Sequence, residues 1–212
     1  MLYPVVEELM QIIERERVHI EHSNGGVTFS GGEPLMHADF LIEMLKACGE
    51  KGLHRAVDTC GFASTETLLE VAKYTDLFLY DLKLMDPVQH KKWTGVDNRL
   101  ILRNLKILAE TGSNINIRIP LIKNVNSEVE EVTKMAEFIA ELQSIKNRGL
   151  ETATPEQKML VNLLPYHNIA SGKYKKLEMI YDSDSMDEPT TEDLKTIAEI
   201  FEKYGIEVEI GG

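Results

Sequence analysis

Hydrophobic and polar residues follow two different periods along this chain. Short runs rich in β-branched and aromatic residues are typical of strands, and longer segments with an apolar residue every three or four positions are typical of helices. The two kinds of segment alternate from the first strand to the last. Strands are predicted at about residues 26–30, 55–58, 77–82, 114–119 and 161–165, with a terminal strand at 207–210.

This alternation of strands and helices predicts right-handed crossovers and a parallel α/β sheet. It leaves an open sheet and a barrel as alternatives. No internal repeat and no linker divides the sequence, so residues 1–212 are predicted to form a single domain.

Composition excludes several classes of function. The 212 residues carry a formal net charge of −12, which disfavours nucleic acid as a partner because phosphate backbones are held by Lys and Arg. There is no long apolar run and no basic-then-apolar start, which predicts a cytoplasmic protein with no membrane partner. Cys48 and Cys60 are too few for a disulfide framework or a cysteine metal site, and Cys48 has the spacing of a helix core residue.

The sharpest local signal is the loop of residues 30–33, Ser30-Gly31-Gly32-Glu33, here called the glycine loop. It follows the first predicted strand and precedes a helical pattern. Adjacent glycines let main-chain groups touch a small polar ligand, and Glu33 could then hold a cation or an amine. The structural alternative is a β-to-α turn that requires a positive φ angle twice.

Polar residues recur where each predicted strand ends, which is the ligand-binding edge of parallel α/β folds. Singly, each has an ordinary explanation: Asp58 could cap a turn, Asp81 and Lys83 could form an exposed ion pair, Arg118 could extend from the core, and His167 could lie in a surface loop. Together they indicate one site. Strand periodicity also places Asn116 and Arg118 on the face opposite Ile115, Ile117 and Ile119.

The sequence resembles the glycyl radical enzyme activating enzymes, of which the activating enzyme of pyruvate formate-lyase is the type member, within the radical S-adenosylmethionine (SAM) superfamily. An ordered set of segments from about Val5 to the C-terminus carries the resemblance, and the set is far more specific than any one member. The segments are Val27-Thr28-Phe29-Ser30-Gly31-Gly32-Glu33-Pro34-Leu35, Asp58-Thr59-Cys60-Gly61, Leu79-Tyr80-Asp81-Leu82-Lys83, Ile117-Arg118-Ile119-Pro120 and Leu163-Leu164-Pro165-Tyr166-His167.

The resemblance implies a radical SAM oxidoreductase with a partial (β/α) barrel and outer helices. A [4Fe-4S] cluster would reductively cleave S-adenosylmethionine, and the deoxyadenosyl radical would take a hydrogen atom from a glycine of a partner glycyl radical enzyme. Flavodoxin or ferredoxin would donate the electron. By analogy, Ser30, Gly31, Gly32 and Glu33 would bind the methionine amino group, and Lys83, Arg118 and His167 would contact the cofactor. Asp58, Thr59 and Asp81 would resemble the site of a monovalent cation.

The sequence departs from this family in one respect. The family's CxxxCxxC motif, which holds the cluster, is absent, and Met1 falls about where the helix after that motif should start. The chain is therefore interpreted as an N-terminally truncated member without the first strand, and is expected to be inactive as given. The run Val27–Ser30 would then be an unpaired sheet edge, which a second copy of the chain could cover in a non-native dimer.

Two rival functions come from other classes. A Schiff-base or metal-dependent lyase on a (β/α) barrel would also place Glu33, Asp58 and Asp81 at strand ends, with Lys83 as the amine nucleophile. A noncatalytic remnant would keep the fold and bind a protein partner.

Overall fold

A computed structural model describes residues 3–148, 158–166 and 187–211. Its six parallel strands form one sheet in the order β1 to β6, and the sheet does not close. The strands are β1 (Gly26–Phe29), β2 (His54–Thr59), β3 (Leu77–Asp81), β4 (Ile115–Leu121), β5 (Leu160–Pro165) and β6 (Val208–Ile210). The helices are α1 (Tyr3–Arg15), α2 (Arg17–His22), α3 (Ala38–Glu50), α4 (Thr65–Ala72), α5 (Pro87–Thr94), α6 (Arg99–Glu110), α7 (Val129–Arg148) and α8 (Thr191–Lys203), with a 3-10 turn at Pro34–His37.

The predicted α/β class and strand positions are confirmed. Every predicted strand lies within two residues of its observed bounds. The alternation predicted for β4 is present, because Ile115, Ile117 and Ile119 are buried whereas Asn116 and Arg118 are half-buried. Period-two patterning therefore assigned the two faces of this strand correctly.

The chain divides into two compact units, the first comprising residues 1–80 and 100–116 and the second comprising 81–99 and 117–212. In the first unit, Met10, Met44, Cys48 and Leu53 form a buried cluster. The Cys48 thiol donates to the Met10 sulfur at 3.7 Å, and burial raises the pKa of that thiol to about 11. The interpretation of Cys48 as a core residue is thus confirmed. In the second unit the core includes Ile117, Ile119, Leu121, Met135, Val161, Leu163 and Phe201.

Strand β1 is an edge of the sheet. It pairs in parallel with β2, from Gly26 opposite His54 to Phe29 opposite Val57, and with no other strand of the described ranges. The expected edge at Val27 is therefore confirmed. Val27 and Phe29 are half-buried against the apolar cluster of the first unit.

None of the helices within the described ranges is long and apolar enough to cross a membrane.

A bidentate ion pair joins β2 to the turn before β3. It lies at the amino-terminal ends of these strands, whereas the glycine loop follows the carboxyl end of β1. Arg55 Nε donates to Asp76 Oδ2 and Nη2 donates to Oδ1, each at 2.7 Å. The Arg55 amide donates to Oδ2 at 2.8 Å, and the Asp76 amide returns a bond to the Arg55 carbonyl at 2.9 Å. The hydrogen bonds from the Arg55 side chain are the main reason that the pKa of Asp76 is lowered.

We expect Asp76→Asn to destabilise the protein at neutral pH by about 1–3 kcal/mol, because it removes a charge-assisted bidentate contact. A carboxylate with a lowered pKa stabilises the fold above its unfolded pKa of about 3.9, and this stabilisation is lost as pH falls through its lower folded-state pKa. Urea unfolding should therefore show a difference between the two proteins at pH 7 that shrinks below about pH 4. Glu130→Gln, which breaks an exposed pair with Lys134, is the control and should change stability little. An equal loss in both variants would contradict this account.

Candidate functional site

The glycine loop exposes its main chain. Gly31 has a φ angle of +97° and Gly32 one of +57°, so both lie in the left-handed region that favours glycine. A Cβ atom built on either residue would meet no atom within 4 Å. The predicted turn with two positive φ angles is confirmed, and the same conformation leaves the backbone open to a ligand.

The Glu33 carboxylate joins this loop to the end of β2. Its Oε1 accepts from the Thr59 hydroxyl at 2.6 Å and from the Leu35 amide at 3.2 Å. Its Oε2 accepts from the Cys60 amide at 2.9 Å and from the Cys60 thiol at 3.0 Å. A carboxylate offers about four lone-pair sites, and these donors are sufficient to occupy them. Within the described ranges, main-chain atoms of Gly31 and Gly32 make no hydrogen bond, and they are the polar groups that the loop leaves open.

Three further predicted site residues lie beside this carboxylate. Ser30 Oγ donates to Asp58 Oδ2 at 3.1 Å. Thr59 is buried, and its hydroxyl both donates to Glu33 and accepts from the Gly61 amide at 2.8 Å. The structure thus brings together Ser30, the glycines, Glu33, Asp58 and Thr59, as the sequence predicted for the first two strand ends.

Two residues of this region were missed from the sequence. Asn104 on α6 is fully buried, and its Nδ2 donates to the Gly61 carbonyl at 2.8 Å and to the Ala63 carbonyl at 2.9 Å. Tyr80 is also fully buried, and its hydroxyl donates to the Ile101 carbonyl at 2.7 Å. Burial holds the pKa of Tyr80 well above its usual value, so the phenol stays neutral. The one available signal was an asparagine on the apolar face of a helix.

The second unit holds a cluster around Asp81. Arg118 donates to Asp81 Oδ1 from Nη2 at 3.0 Å and from Nε at 3.2 Å, and Lys83 Nζ lies 3.4 Å from Oδ2. The ordinary interpretation of Asp81 and Lys83 as an ion pair is therefore realised, with Arg118 added to it. His167 lies outside the described residues.

Asn116, on β4, has a buried side-chain oxygen without a hydrogen-bond donor among the described residues. Its Oδ1 is buried and accepts no hydrogen bond from any residue within the described ranges. Buried amide oxygens are normally satisfied by protein, water or ligand. A donor from water, from a ligand or from a residue beyond the described ranges would satisfy this one.

The residues present do not fit an iron–sulfur cluster. Such a cluster needs several thiolates, and the sequence has two cysteines. Cys48 is sealed in an apolar core, and the thiol of Cys60 donates to Glu33. Across the part of the chain that the structure describes, no group of three or more His, Cys, Asp or Glu residues could hold a metal ion.

Known proteins are similar to this chain in both sequence and fold. The family model of the radical SAM superfamily matches residues 3–139. The chain is 45% identical over 210 residues to the trans-4-hydroxy-L-proline dehydratase activating enzyme of Clostridioides difficile, covering 98% of this chain and 65% of that protein. It is 37% identical over 206 residues to the choline trimethylamine-lyase activating enzyme of Oleidesulfovibrio alaskensis, covering 97% and 63%. The chain therefore spans just under two thirds of these relatives.

Solved structures agree. A domain of the pyruvate-formate lyase-activating enzyme from Bacteroides vulgatus is 40% identical, with a TM-score of 0.71 over 89% of this chain and 99% of that one. Streptococcus suis SuiB bound to S-adenosylmethionine superposes with a TM-score of 0.66 over 98% of this chain and 43% of its own, but at 17% identity this likeness shows the fold alone. These matches confirm the resemblance and the partial-barrel fold class. The chain belongs to the radical SAM superfamily, and its relatives there are glycyl radical enzyme activating enzymes.

Proposed function

We propose that this chain is the S-adenosylmethionine-binding part of a glycyl radical enzyme activating enzyme. The observation that carries the proposal is the glycine loop, whose two residues with positive φ have free space around them and whose flank is fixed by Glu33. A loop of this kind leaves main-chain N–H and C=O groups open to a small polar ligand, and its carbonyls would accept from an ammonium group.

S-Adenosylmethionine suits this part of the first unit because it carries an ammonium group, a carboxylate and a sulfonium. Gly31 and Gly32 would hold the ammonium group through main-chain carbonyls, and the half-buried carboxylate of Asp58 adds negative charge nearby. When bound and given one electron from a reduced [4Fe-4S] cluster, the cofactor would supply the group that takes a hydrogen atom from a glycine. The chain's own contribution is to bind and orient it.

Other roles rest on the resemblance and on the names of the relatives. Lys83, Arg118 and His167 are proposed cofactor contacts, and Asp58, Thr59 and Asp81 are proposed ligands of a monovalent cation. The protein substrate is proposed to be a glycyl radical enzyme, because the relatives are named as activating enzymes of a dehydratase, a lyase and a decarboxylase. A flavodoxin or ferredoxin is the proposed electron donor. Membership of the radical SAM superfamily argues against the Schiff-base lyase.

Gly31→Ala should lower the affinity for S-adenosylmethionine by about tenfold, because a methyl group would fill the open space and displace a main-chain contact. Gly112→Ala is the matched control, since Gly112 also has a positive φ of +75° with nothing within 4 Å of its Cβ position, but it precedes the amino-terminal end of β4, whereas the glycine loop follows the carboxyl end of β1. Isothermal titration of the three proteins measures the difference. Equal affinity in the Gly31 variant and the wild type would remove the glycine loop from the site.

The chain as given should bind no [4Fe-4S] cluster and should form no glycyl radical on a partner, because it lacks the thiolates that such a cluster requires. Anaerobic reconstitution with iron and sulfide, followed by reduction and electron paramagnetic resonance, tests this. A reducible cluster signal from the 212-residue chain would contradict the prediction.

The β1 edge is proposed to pair with β1 of a second copy, giving a dimer by strand addition. Thr28→Lys places a charge on the exposed side of this strand and should shift the protein to monomer. Thr196→Lys, at an exposed position of α8, is the control and should leave the dimer intact. Sedimentation velocity at roughly 100 μM distinguishes the two states, and a monomeric wild type would rule the dimer out.

A further inference from the structure

Asn104 uses all of its amide to hold one short segment of the first unit. Its Nδ2 donates to the carbonyls of Gly61 and Ala63, and its Oδ1 accepts from the Thr65 hydroxyl at 2.8 Å. The side chain is fully buried, so these bonds form away from water. Buried amide bonds of this kind specify one arrangement because an unpaired carbonyl is costly.

A continuous path of hydrogen bonds leads from Asn104 to the glycine loop. The side chain of Asn104 donates to the Gly61 carbonyl, and the main-chain N–H of Gly61 donates to Thr59 Oγ1 at 2.8 Å. The Thr59 hydroxyl in turn donates to Glu33 Oε1 at 2.6 Å. Three hydrogen bonds therefore connect Asn104 to Glu33, and Glu33 fixes the flank of the glycine loop.

The surroundings of Gly61 make this path rigid. Gly61 has a φ angle of +71°, and a Cβ atom there would lie 1.7 Å from the Tyr80 hydroxyl. That hydroxyl donates to the carbonyl of Ile101, one turn before Asn104 on α6. Helix α6 is thus linked to the segment at two adjacent turns, directly by Asn104 and indirectly by Ile101, which holds the Tyr80 hydroxyl beside Gly61.

Helix α4 does not need Asn104 for its own start. Ser64 is its N-cap residue, and the Ser64 hydroxyl accepts from the Thr67 amide at 3.1 Å. The two bonds that Asn104 donates lie before this cap, on the segment that leads back to Thr59 and Cys60, and only the bond from the Thr65 hydroxyl lies at the first residue of α4. The two donated bonds therefore hold the loop and not the helix.

We propose that Asn104 is a positioning residue for the cofactor: it sets the Gly61–Ala63 segment, and through Thr59 and Glu33 it sets the glycine loop. This inference rests on the proposed function of that loop. Asn104 touches no part of the proposed cofactor site directly, so its effect passes through Glu33.

The test compares Asn104→Leu with Asn162→Leu. Asn162 is a matched control because it is also buried and donates through Nδ2 to a backbone carbonyl, that of Gly211 at 2.9 Å, but it lies on β5 in the second unit. Hydrogen exchange followed by NMR reads the Cys60 and Leu35 amides, which both donate to Glu33. We expect exchange at both amides to rise by about tenfold or more in Asn104→Leu and to stay near the wild-type rate in Asn162→Leu.

Unchanged exchange at Cys60 and Leu35 in Asn104→Leu would overturn the inference, and so would an equal rise in both variants. Thr65→Val is the milder second variant, because it frees Asn104 Oδ1 while leaving the two carbonyl bonds in place. It should raise exchange at the same amides to a smaller extent, and it decides the question if Asn104→Leu does not fold. An unaltered rate in Thr65→Val would then count against the proposal.

Titration with S-adenosylmethionine separates this inference from the proposed function. If the wild type binds and Asn104→Leu binds about tenfold more weakly than Asn162→Leu, both are supported. The wild type could fail to bind S-adenosylmethionine while exchange at the Cys60 and Leu35 amides still rises in Asn104→Leu. The proposed function and the role of Asn104 toward the cofactor would then both fail, and only the structural link between Asn104 and the glycine loop would remain. If the wild type and Asn104→Leu bind equally, the positioning role fails alone.

Discussion

The carboxylate of Glu33 is the interaction on which the arrangement of the first unit's site depends. The hydrogen-bonded pairing of β1 with β2 ends at Phe29 and Val57, and the glycine loop beyond it has no Cβ atoms at its two central positions. A loop so poor in side chains has little packing to hold it. Bonds from Thr59, Cys60 and Leu35 to one charged group replace that packing, and bonds to a charged acceptor are stronger than neutral ones.

Local features of the fold were readable from the sequence because each depends on near neighbours. Strand β4 was recognised from the alternation of isoleucine with polar residues, and its faces were assigned by the same alternation. Cys48 was recognised as core from helical spacing alone. Two adjacent glycines after a strand predicted the positive φ angles of Gly31 and Gly32, since few other residues adopt them.

The partners of polar side chains were not readable, because they are distant in sequence. Glu33 was expected to bind a ligand, and the sequence did not show that its oxygens also accept from Thr59 and Cys60, 26 and 27 positions away. Asp81 was matched with Lys83, two residues on, but Arg118, 37 residues away, contributes the closer contacts. Asn104 lies among Ile101, Leu105 and Leu108 in the sequence of α6. The spacing of apolar residues alone cannot distinguish a buried asparagine that bonds a neighbouring segment from a tolerated polar residue.

The close approach of Gly61 to Tyr80 has a consequence for how this region can vary among related chains. A methyl group at position 61 would lie 1.7 Å from the Tyr80 hydroxyl oxygen and 2.3 Å from the ring carbon that bears it, so changing Tyr80 to phenylalanine would not make room. Position 80 would have to lose its ring, and the Ile101 carbonyl would then lose its donor. Positions 61 and 80 should therefore change together or not at all, and recombination with a crossover between them would unite incompatible residues wherever the two homologues differ at both.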